Sequence, residues 1–166
     1  MTEIRKFSLV YDATEDRLAW DTEDLEGATT RLWLTQRLCR GLVNALIPIL
    51  QKAARPSVDP RHEATVQSFE QAAAMAGFGK VTAVRPQPQS VAGLVRAVNV
   101  AAGDNGVTLT FDFAAADTRV VGMDFAALRQ TLAVMHRLHV AAGWPADFWP
   151  AWVSAAETPV PTDARN

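Results

Sequence analysis

The chain is short of the residues that simple chemistries require. One cysteine, Cys39, in 166 residues excludes an internal disulfide and a cysteine-built metal site. Charge of one sign is lacking too. Sixteen Lys and Arg against eighteen Asp and Glu leave a formal charge of −2, so there is no global electrostatic case for nucleic acid or an anionic membrane. Long apolar runs are absent: LVNALIPIL (42–50) is too short to span a bilayer. MTEIRKFSLV has no basic-then-apolar leader, and the expected location is the cytoplasm. Alanine-rich, lysine-poor usage points to a GC-rich bacterial genome. Nothing cradles a phosphate. GFGK (77–80) lacks the rest of a P-loop and follows a helix instead of a strand, so no cofactor is expected.

What is present is a globular pattern. Hydrophobic residues at 49% with 20% charged residues can build one core of domain size. Period-two alternation predicts strands in KFSLVYD (Phe7, Leu9 and Tyr11 on one face), RLAWDT (Leu18, Trp20) and TTRLWLT (Leu32, Leu34 against Arg31, Trp33). Polar turns separate them, so they read as an antiparallel meander. Thr35 is placed to cap a helix over 36–54. That helix carries two apolar stripes, one through Leu38, Leu42 and Leu46 and one through Val43, Ile47 and Leu50. It therefore needs cover on two sides, from the sheet and from the next helix or another subunit. Pro48 is expected to kink it.

Asp59-Pro60 is a strong helix start, and Val66, Phe69, Ala73 and Ala76 suggest a narrow apolar face up to the stop at Gly77. A second β region is read from KVTAV onward, followed by the proline-limited RPQPQS. A hairpin turning at Asp104-Asn105-Gly106 and a last strand TRVVGMD come next. Asp124 caps the final helix, with the stripe Phe125, Leu128, Leu132, Met135, His139. The expected fold is α+β: two antiparallel β-meanders with an inserted helical hairpin and a C-terminal helix, one domain over 1–153. Residues 154–166 read as a disordered tail.

ATTRLWLTQRLCRGLVNAL and ADTRVVGMDFAALRQTLAV share a Thr-Arg, a strand, a cap and a helix. They suggest an internal strand-strand-helix duplication, offset by 88 at Thr30/Thr118 and 89 at the caps. The order of elements (strands 6–12, 17–22 and 29–34; helices 36–54 and 60–76; strands 94–113 and 118–123; the helix from 125) resembles the head domain of the eukaryotic DNA end-joining scaffold proteins, without their coiled-coil stalk. The resemblance is one of topology, with no specific motif. It implies a non-enzymatic scaffold and transfers no residue.

Site candidates follow from residue type and position. GWPADFWPAW (143–152) holds three of the five tryptophans, and reads either as a lid on the core or as a partner clasp. Trp33 lies on the strand face opposite Leu32 and Leu34, beside Arg31, where either a second layer or an interface must take it. The leading reading is a non-catalytic protein–protein interaction or assembly module, self-associating as a homodimer or binding another protein, with Trp33, Val43, Ile47, Trp149 and Trp152 as its surface. One alternative is an enzyme or a small-molecule- or metal-binding domain with a pocket near Asp112, Asp124, His136 and His139. The two histidines are three apart on a helix, a ligand spacing that lacks an evident third donor. A second alternative is nucleic-acid contact through Arg31, Arg37 and Arg40. Cys39, between Arg37 and Arg40, reads as a buried small residue because no partner base is visible. The acids Asp12, Glu15, Asp16, Asp21, Glu23, Asp24 and Glu26 read as solvated turns.

Overall fold

The computed structural model describes residues 1–54, 59–80, 82–113 and 117–154. Its elements are β1 (Thr2–Asp12), β2 (Arg17–Asp24), β3 (Thr29–Leu34), α1 (Gln36–Ala54), a 3₁₀ turn (Pro60–His62), α2 (Glu63–Ala76), β4 (Val91–Ala102), β5 (Gly106–Phe113), β6 (Asp117–Asp124), α3 (Phe125–Ala141) and the single turn α4 (Ala151–Ser154). Both expected meanders form, β1-β2-β3 and β4-β5-β6, each antiparallel throughout. The turns use the polar residues placed there. The Asp12 carboxylate accepts from the amides of Thr14 and Glu15, and the Asp24 carboxylate from those of Glu26 and Ala28.

The meanders join edge to edge into a closed six-stranded barrel. Two parallel seams close it. Thr30–Trp33 of β3 run beside Val91–Leu94 of β4, and Thr2 and Glu3 of β1 beside Arg119 and Val120 of β6. Closure removes most of the open sheet edge that two separate meanders would expose. The halves share their register. Trp20 faces Leu32 as Leu109 faces Val121, and Leu18 faces Leu34 as Val107 faces Met123, each 89 positions on. Each first strand carries a bulge at the same place, between Ile4 and Lys6 in β1 and between Val95 and Ala97 in β4. In the seams Thr30 meets Val91 as Arg119 meets Thr2. The structural counterpart of Thr30 is therefore Arg119, not Thr118, and the offset of 88 read from the Thr-Arg match is corrected to 89.

Inward side chains fill the barrel. Trp20 lies at its centre, with the Phe7 and Phe111 rings each 5.0 Å away. Gly106 is required where β5 enters, because a Cβ there would sit 2.2 Å from the Met123 carbonyl oxygen. α1 and α3 pack on the barrel, and α2 and α4 complete the helical layer against α3. The Thr35 side chain caps α1 through the amide of Leu38, and the Asp124 side chain caps α3 through the amide of Ala127 at 2.7 Å. Both stripes of α1 are buried within the chain, and α2 supplies cover away from the barrel.

Two expectations about the middle of the chain are corrected. KVTAV forms no strand among its described residues. Val84 instead bonds the side chain of Ser8: its amide donates to Ser8 Oγ at 3.1 Å, and Ser8 Oγ donates to its carbonyl at 3.3 Å. Pro86 and Pro88 remove the donors a ladder would need. In α2 the inward residues are Gln67, Gln71 and Ala74, while Phe69 points outward at 73% exposure. The apolar stripe loses because the facing surface is polar: the Leu50 carbonyl at the end of α1, and the guanidinium and carbonyl of Arg129 in α3. The expected tail 154–166 lies outside the described residues except for Ser154, which ends α4.

Candidate functional site

The outer wall of the barrel carries the first candidate surface. Pairing sets Val10 beside Ala19, Ala19 beside Trp33, and Trp33 beside Leu94. This makes an apolar row across four strands. Trp33 is half-buried, and Val10 and Leu94 are 46% and 44% exposed. The adjoining row is Ser8, Asp21, Arg31 and Ala92. There Arg31 grips Asp21 with two hydrogen bonds, Nε at 2.6 Å and Nη2 at 2.8 Å, and lies 5.1 Å over the Trp33 ring. Hydrogen bonding to Asp21 raises the already high Arg31 pKa, so the guanidinium stays charged. β4 runs on from Leu94 to Ala102 with no strand on its second side among the described residues, and α1 packs against the strand. Over those residues it bears one charge, Arg96, paired with Asp112.

The aromatic segment folds back on the chain. Gly143 adopts φ +68°, its amide bonds the Val140 carbonyl, and the amide of Trp144 bonds the His139 carbonyl. These are the two bonds of a Schellman cap, and they turn the chain sharply off α3. Asp16, itself at φ 49°, then receives two donors on one oxygen: the Tyr11 hydroxyl at 2.8 Å and Trp144 Nε1 at 2.9 Å. The Tyr11 bond first and the Trp144 bond second hold the Asp16 pKa below the usual carboxylate range. His139 is fully buried inside a box of Trp144, Phe148 and Trp149, with ring centroids 5.1, 5.9 and 5.3 Å away. Its Nδ1 lies 2.9 Å from the Met135 carbonyl oxygen, which assigns the proton to Nδ1 and leaves the buried Nε2 without a partner among the described residues. Burial lowers the His139 pKa; the Met135 bond opposes this and His136 adds to it. Further on, Trp152 stacks on Arg129 at 5.2 Å, and Arg129 donates to Gln67 Oε1 at 2.6 Å.

Val43, Ile47, Trp149 and Trp152 are thus all core residues, none more than 9% exposed. Four of the five expected interaction residues are covered by their own chain and offer no surface in this conformation; Trp33 alone stays outside. The pocket expected from Asp112, Asp124, His136 and His139 is not assembled either. Asp112 pairs with Arg96 on the surface, and Asp124 caps the far end of α3. His139 is 15 residues further along that helix, about 22 Å at 1.5 Å per residue. Among the described residues no three His, Cys, Asp or Glu side chains form a group able to hold a metal. Nor do the three arginines act together: Arg31 is committed to Asp21, Arg40 lies 5.0 Å over Phe148, and Arg37 is exposed. Burial pushes the Cys39 thiol up to about 12, so it is not a nucleophile.

Sequence reasoning missed one concavity. A groove of about 370 Å³ runs between β1, the segment after α2, and α3. Phe7, Leu9, Phe78, Ala127 and Val134 line it, with Lys6 and Arg5 at one end. No local signal marks it, because its three walls come from segments separated by more than forty positions in the chain. No described helix is long and apolar enough to cross a membrane. The chain matches no family model, no curated protein and no solved structure.

Proposed function

We propose that this protein is a non-catalytic assembly module that pairs with a second copy of itself through the outer wall around Trp33 and the adjoining free side of β4. The observation that carries this reading is the partly exposed apolar row of Val10, Trp33 and Leu94, with the buried Ala19 between Val10 and Trp33, running into β4, which among the described residues has no strand partner on that side beyond Leu94. A strand left open is ordinarily guarded by lysine, proline or inward charge, and β4 beyond Leu94 has one arginine. The strand is also self-compatible. A twofold axis through Asn99 sets Ala97 opposite Ala101 of the second copy and Arg96 opposite Ala102, so no like charges meet. The shared register of the two halves supports reading the chain as a duplicated strand-strand-helix unit. The resemblance in element order to the end-joining scaffold heads lends the same class of role and no residue.

Light scattering after size exclusion tests the reading. The wild type is expected at twice the 18.0 kDa chain mass, and Ala97→Lys/Ala101→Lys at the single mass with an unchanged circular dichroism spectrum. A wild type that stays at the single mass, or a lysine variant that still pairs, overturns it.

A further inference from the structure

We infer that the groove between β1 and α3 is a binding site for a linear amphipathic carboxylate, a use independent of whether the protein pairs. The argument begins with what the groove's polar groups are already doing. Ser8 Oγ is spent on the backbone of Val84, Gln130 Nε2 donates to the Ala74 carbonyl at 2.8 Å, and Thr131 Oγ1 donates to the Ala127 carbonyl at 2.8 Å. The remaining wall is apolar: Phe7, Leu9, Phe78, Ala83, Ala127 and Val134. Such a wall selects a hydrocarbon chain and offers it little to hydrogen-bond with.

Charge then selects the head group. Among the described residues no acid lines the groove. Arg5 is ion-paired with Glu23, whereas Lys6, half-buried on the next position of β1, has no ion-pair partner among the described residues. An ammonium lining an apolar trough with no ion-pair partner among the described residues is met best by one anionic group, and a cationic or neutral head leaves it unpaired. Size sets the length. At the ~30 Å³ that a water occupies in the liquid, the groove holds about a dozen non-hydrogen atoms. That matches a chain of about ten carbons ending in a carboxylate.

Titration calorimetry with decanoate below its micellar concentration, with decylammonium as the charge-reversed control, decides the matter. Saturable one-to-one binding of decanoate is expected, weakened about tenfold by Lys6→Gln through loss of a charge-assisted contact. Val134→Phe, which fills the trough with an apolar ring, is expected to abolish binding while the fold, checked by circular dichroism, persists. The inference is overturned if decanoate does not bind, if decylammonium binds as well, or if Val134→Phe binds decanoate like the wild type. Wild type and variants are compared at one protein concentration, so that pairing of chains is common to all.

Discussion

At the scale of single residues, His139 shows how one side chain ties the aromatic segment to the core. Its ring is enclosed by three aromatic rings, and its second nitrogen faces no donor. A proton added there must be buried without a counter-charge. The folded pKa is therefore below the unfolded value of about 6.5, and protonation favours the unfolded chain. The stabilising contribution is complete above about pH 6.5 and is lost as pH falls from there through the folded pKa. Urea titrations from pH 7.5 down to pH 5 are expected to show a falling midpoint, and His139→Leu to remove most of that slope. An equal slope in the variant would place the titration elsewhere. The same residue explains the fate of GWPADFWPAW. The segment closes over His139, and Asp16 holds Trp144 from the opposite end of the chain.

At the scale of elements, α2 is the instructive case. Helical periodicity favoured Phe69 inward, yet Gln67 and Gln71 took that side because α3 presents a buried arginine. Arg129 is 4% exposed and, among the described residues, has no carboxylate in hydrogen-bonding reach; burial lowers its pKa, and the more distant Glu70 partly opposes this. Gln67 and the Trp152 ring are its substitutes for a counter-ion. Removing the solvating partner should therefore hurt more than removing the charge. Gln67→Ala is expected to cost about 1–3 kcal/mol by leaving Arg129 underpaired. Arg129→Met, similar in length and apolar, is expected to be neutral or stabilising. Chemical denaturation of the two variants checks the order, and a reversed order would contradict this account of α2.

At the scale of the whole molecule, the barrel is two strong meanders joined by two unequal seams. One seam pairs four residues of β3 with β4; the other pairs two residues of β1 with β6. The shorter seam has fewer paired residues and lies at the start of β1, so it should open first. Amide exchange followed by NMR is expected to be fastest at this seam, and slowest along β2, β3 and β5, where each strand is paired on both sides. Equal protection at Glu3 and at Leu109 would mean that the barrel opens only by global unfolding. The surface proposed for pairing of chains follows from the same geometry, since β4 outruns β3 at Leu94 and its remaining edge has no strand beside it among the described residues.

The sequence by itself determined the elements whose signals are local. Alternation marked the first three strands, Thr35 and Asp124 marked the helix starts, and Asp104-Asn105-Gly106 marked the hairpin, because pleat, cap and turn are decided by neighbours in the chain; the strand expected at KVTAV did not form among its described residues. It also showed that α1 needed cover on two sides. Only the tertiary structure decided which apolar residues became core and which became surface. Val43, Ile47, Trp149 and Trp152 look like Trp33 in composition, but helix packing and the folding back of the aromatic segment bury them, whereas Trp33 is covered only in part, with Arg31 over its ring. Barrel closure, the inversion of α2 and the groove beside β1 likewise depend on partners tens of residues away. Burial and pairing across such distances are properties of packing, and local periodicity does not encode them.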